Sequence, residues 1–110
     1  MSLIQKWRFF VEECQGGYGW NYSEYRNEIR SRHLMQQLLE DSIISNADEL
    51  KGFFEELDRL DEVFKSLLQS GVSVNEGENW WERGVLMYAG EEYCFYMRRA
   101  HGVAVRNTGD

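Results

Sequence analysis

The sequence predicts an all-α fold, a single-domain four-helix bundle over residues 1–110, on three observations. An N-x-x-E start signal occurs at Asn21, Asn46 and Asn79, each time opening a stretch rich in apolar residues. The chain has no proline, so its helix ends fall to glycines and to side-chain caps. Its 110 residues, 43% hydrophobic and 15% aromatic, are enough for one core without metal or disulfide staples.

The first helix is predicted over 3–14, where Ile4, Trp7, Val11 and Cys14 recur at steps of three and four with Phe10 beside them. The glycines of QGGYG then read as a corner. Gly16 or Gly17 stops the helix, and Gly19 allows a turn before Asn21. A phosphate-cradling loop would instead follow a strand and carry a GxGxxG or GxxxxGK[ST] spacing, which this stretch lacks.

A second helix over 22–41 follows from the stripe Tyr22, Tyr25, Ile29, Met35, Leu38 and Leu39, capped by Asn21 with Glu24. Trp20, just before the cap, is placed for a hydrophobic staple on Tyr25. The third, over 47–69, has the most regular pattern: Leu50, Phe53, Phe54, Leu57, Leu60, Phe64, Leu67 and Leu68. Ser70 and Gly71 end it, and Gly52 weakens it by about 1 kcal/mol relative to alanine. From 80 to 100 the apolar residues fall on nearly every side, so a fourth, largely buried helix is predicted, with Gly90 a point where it can divide. The alternating fragments 72–74 and 103–105 suit a tiny two-stranded ribbon.

Nineteen acidic against 12 basic side chains give a net charge of -7. That sign repels phosphate backbones, so direct nucleic-acid binding is not expected, and a basic protein partner is favoured. Mean hydropathy is -0.58 and no apolar run approaches the roughly 18–20 residues of a membrane span, so no membrane role is expected. The opening MSLIQKWRFFVEEC lacks the pattern of a secretory signal, which places the expected location in the cytoplasm. Cys14 and Cys94 then read as small reduced hydrophobes. With His33 and His101 the only histidines and no HExxH or clustered spacing, neither a metal nor a cofactor is expected, and no catalytic set is assigned.

The feature most suggestive of function is an acidic band. Between Glu40 and Glu62 lie nine acids and only two bases, Lys51 and Arg59. On the third helix Glu55, Asp58 and Glu62 share a face, flanked by Asp48, Glu49, Glu56 and Asp61. The expected partner-binding set is Glu55, Asp58, Asp61 and Glu62, with Trp80 as an aromatic anchor. In size, charge and helix content the chain resembles the small acidic helical immunity proteins of bacteria. That resemblance implies an inhibitor or antitoxin-type protein that occludes a basic toxin or nuclease.

Two alternatives stand beside it. Arg26, Arg30, His33 and Gln37 share a face of the second helix, and Arg26 with His33 resembles the R-x(4–6)-H pattern of HEPN-type ribonucleases. That likeness implies a metal-independent ribonuclease using Arg26 and His33. The same helix also has a plainer reading, in which Glu28 pairs with Arg32 four residues on and the basic face docks on the acidic third helix. The second alternative is a self-associating subunit, a homo-oligomer held by surplus aromatic residues.

Overall fold

The computed structural model describes residues 2–41, 47–74 and 79–108. The first helix, α1 (Leu3–Gln15), starts in a reciprocal capping box: Ser2 Oγ accepts from the Gln5 amide at 3.3 Å and Gln5 Oε1 accepts from the Ser2 amide at 3.0 Å. It buries Trp7, Phe10, Val11 and Cys14. Gly16 caps its end and Gly17 adopts φ +92°, so the QGGYG corner is a turn. A Cβ on Gly17 would lie 2.8 Å from Thr108 Oγ1, which means that the corner closes against the C-terminal stretch.

The second helix, α2 (Tyr22–Asp41), begins as expected, with Asn21 Oδ1 accepting from the Glu24 amide at 2.9 Å. Trp20 does not staple it: the indole is 59% exposed and stands clear of the core. The third helix, α3 (Ala47–Ser66), buries Leu57, Leu60 and Phe64 and leaves Phe54 exposed. Its expected cap, Asn46, lies outside the described residues. Where the three long helices meet, the core is aromatic. Phe10 lies between 5.4 and 5.7 Å from the rings of Trp7, Phe64, Tyr18 and Tyr25.

The fourth helix differs from its prediction. Only one turn forms, α4 (Trp80–Arg83), and Asn79 makes no side-chain cap for it. Residues 84–90 then run extended, containing β1 (Tyr88–Ala89), and α5 (Glu91–His101) follows before β2 (Arg106–Asn107). The extended run is the buried part: Val85, Leu86 and Ala89 are wholly inaccessible, whereas α5 buries only Tyr93 and Met97. Backbone pairing holds the run on both sides. Gln69 and Met87 amides donate to Val85 and Leu67 carbonyls at 2.7 and 2.8 Å, and Leu68 bridges Leu86 in antiparallel sense. On the other side β1 pairs with β2 in parallel, Tyr88 opposite Arg106 and Ala89 opposite Asn107.

The ribbon is therefore 88–89 with 106–107, and the expected pairing of 72–74 with 103–105 is corrected. Val74 instead donates to the Arg83 carbonyl at 2.9 Å. The Gln69 amide group crosses the run, donating to Leu86 and Ala104 carbonyls at 3.1 and 2.8 Å. Gly84 is the tight point: a Cβ there would sit 2.4 Å from Leu68 Cδ1. The whole remains mostly helical with a minor ribbon, and among the described residues no helix is long and apolar enough to cross a membrane.

Candidate partner-binding site

The acids of this chain divide by what they do, and the division starts inside the core. Asp61, expected on the acidic face, is only 8% exposed and belongs to the interior. Arg32 of α2, 5% exposed, donates to both of its oxygens, from Nε at 3.0 and 3.3 Å and from a terminal nitrogen at 2.9 Å. Trp7 Nε1 adds a third donor at 3.1 Å. The Arg32 guanidinium also lies 4.3 Å from the centre of the Trp81 ring and donates to Gln36. One buried ion pair thus ties α1, α2, α3 and α4 together, and Asp61 is withdrawn from the partner-binding set. The expected Glu28–Arg32 pair is not made either.

Glu28 serves Tyr18 instead, accepting from its phenol. Burial first, and then this carboxylate, hold the Tyr18 hydroxyl protonated far above its usual range. Cys14, beside them in the core, is likewise pushed well up by burial, and both cysteines are free thiols. Glu56 forms the third structural group, between Arg8 at 2.8 Å and Arg59 at 3.2 Å. The Arg59 hydrogen bond, reinforced by Arg8, lowers the Glu56 carboxyl below its usual range.

What remains on α3 is a column. Glu55, Asp58 and Glu62 are exposed and fall at i, i+3 and i+7, so they line one face over about 10 Å, opposite Leu57, Leu60 and Phe64. Among the described residues neither Glu55 nor Asp58 has an ion-pair partner, and Glu62 has only Lys65 at 3.7 Å. The side chains of Asp48 and Glu49 fall outside the described part. Trp80 closes the column's C-terminal end. Lys65 Nζ sits 4.7 Å above its ring, and the indole rests on Phe64 at 6.0 Å and Trp81 at 5.7 Å. It is half-buried, a flat wall beside Lys65 more than a protruding anchor.

Arg26 and His33 do come together. With Tyr25, Ile29, Arg30 and Glu82 they line a hollow of about 270 Å³ between α2 and α4. His33 Nδ1 is 3.6 Å from a Glu82 oxygen and 3.4 Å from Asn79 Nδ2, so Asn79 and α4 approach the ring at one nitrogen, and among the described residues the other has no partner. Glu82 is the member of this group that the sequence reading placed in a helix start and not in a site.

A further surface had no part in the sequence reading. The outer face of α5 and the start of α2 form an open groove of about 990 Å³. Tyr22 and Tyr96 stack face to face in its wall, with centroids 4.3 Å apart and planes within 7°. Phe95, 61% exposed, forms its ridge. Comparison with protein-family models, with curated proteins and with solved structures finds no match to this chain.

Proposed function

We propose that this chain is a binding protein that docks to a basic macromolecular partner through the exposed column of α3. The supporting observation is the division of labour among its acids. Asp61, Glu28 and Glu56 are committed to Arg32, Tyr18 and Arg8/Arg59, while Glu55 and Asp58 project with no partner of their own among the described residues. Unneutralised carboxylates at helical spacing attract arginine and lysine, steer encounter and fix register more than they add affinity. The more specific form of the proposal is an inhibitor of immunity or antitoxin type, acting by covering the positive groove of a toxin or nuclease.

Affinity capture at low salt tests it, with wild type and the variant E55K/D58K/E62K as parallel baits. A basic protein enriched on wild type and lost from the variant is the expected result. Wild type that retains no basic protein, or a variant that retains the same one, overturns the proposal.

The hollow at His33 supports a second reading, as a metal-independent ribonuclease. Glu82 at Nδ1 orients the ring, Nε2 is left to move a proton, and Arg26 and Arg30 face the place a phosphate would take. Purified wild type should then cleave RNA and His33→Ala should not; intact RNA at micromolar wild type removes this reading.

A further inference from the structure

The outer face of α5 carries both signs of charge in a set order. Glu91 and Glu92 occupy its first turn, Arg98 and Arg99 its last, and Phe95 and Tyr96 lie between. All six are exposed and, at about 100° per residue, share one side of the helix opposite the buried Tyr93 and Met97. Among the described residues none of the four charged side chains is in an ion pair; Arg99 only overhangs Phe95 at 5.9 Å.

Position 95 is midway between 91 and 99, and also midway between 92 and 98. A twofold axis passing near Phe95 therefore sets Glu91 and Glu92 of one helix against Arg99 and Arg98 of its antiparallel mate. Such self-complementarity is what an isologous contact requires. A purely basic partner would meet Arg98 and Arg99, and a purely acidic one Glu91 and Glu92, so neither matches the face as a second copy does.

Shape agrees with charge. Phe95 stands as a ridge between the groove lined by Tyr22, Tyr96 and Arg99 and a smaller hollow of about 190 Å³ lined by Cys94, Arg98 and Val105. Each copy thus offers both an aromatic ridge and an aromatic-walled groove. The start of α2 and the strand after α5 widen the patch beyond one helix, toward the roughly 800 Å² per partner of a stable interface. We propose that the protein forms an antiparallel, twofold dimer through α5, with Phe95 of each copy seated in the groove of the other.

This surface is separate from the α3 column, so the two proposals fail independently. The test is sedimentation equilibrium of wild type, E91R/E92R, R98E/R99E and F95A, with circular dichroism to show that each variant folds. Wild type is expected to approach twice the chain mass within the micromolar range. Each charge variant alone should stay at the chain mass, an equimolar mixture of the two should regain twice that mass, and F95A should weaken the dimer about 30-fold. Wild type at the chain mass throughout, a dimer indifferent to these substitutions, or a mixture that stays monomeric overturns the proposal. So does a monomer whose F95A variant loses a foreign partner, since the groove then serves that partner.

Discussion

At the residue scale the decisive side chain is Arg32. It enters the core only because Asp61 takes three of its hydrogen-bonding contacts and Trp81 its flat face. Removing one member leaves the other charge buried without its counter-charge, the costly half of a buried ion pair. Arg32→Met should destabilise by about 3–5 kcal/mol, read from the denaturation midpoint. R32M/D61L should recover much of that loss, but not all, because the Trp7 N–H then loses its acceptor. If the double variant were as unstable as R32M alone, the uncompensated charge would not be the cause.

Two other carboxylates give opposite slopes of stability with pH. The Glu56 carboxyl lies below its usual 4.5, chiefly through Arg59 and then Arg8, so its contribution is present above that pH and is lost as pH falls through the lowered folded value. The Glu13 carboxyl is raised from 4.5 by burial and then by Glu28. Its ionisation opposes folding, so stability falls as pH rises from 4.5 through the raised folded value. In melting temperature against pH, E56Q should lose stability relative to wild type near neutrality but not at low pH. E13Q should gain on wild type above its window; parallel curves for all three proteins would contradict both assignments.

At the element scale the unusual part is the extended run between α4 and α5, whose entry depends on the missing side chain at Gly84. Gly84→Ala should cost about 1–3 kcal/mol, because the new methyl meets Leu68 in a filled space. Leu68→Ala in the G84A background should return part of the loss, and no recovery would mean that the clash lies elsewhere.

The same run shows where the sequence could be read and where it could not. The helices α1 to α3 were legible because each buries one stripe, which periodicity records directly. Val85, Leu86 and Ala89 are buried on all sides, and a fully buried strand presents the same unbroken apolar run as a buried helix. Gly84 and Gly90 bracketed the break without distinguishing the two. Asp61 was misplaced for a related reason. Charge marks a residue for the surface by default, and its partner Arg32 lies 29 positions away in sequence, so nothing local pointed to the pair. Tyr18, to which the sequence assigned no role, is wholly buried against Phe10 and Tyr25.

At the scale of the whole molecule, charge and aromatic surface are laid out on separate faces. The α3 column carries Glu55, Asp58 and Glu62, with Arg59 beside them turned to Glu56, and ends at Lys65 and Trp80, whereas the α5 face balances its signs about Phe95. The alternation of Glu91/Glu92, Phe95 and Arg98/Arg99 was visible in the sequence, but reading residues 80–100 as one enclosed helix hid it. The face became evident only when α5 proved peripheral. A net charge of -7 favours long-range attraction of basic partners, and under the docking proposal the α3 column is where such a partner lands.

The association rate constant with a captured basic partner, measured against ionic strength, tests this most directly. The wild-type rate should fall steeply, about tenfold or more between roughly 10 and 200 mM salt, and that of E55K/D58K/E62K should be slow and nearly flat throughout. A wild-type rate indifferent to salt, or a variant that tracks it, would contradict docking through the α3 column.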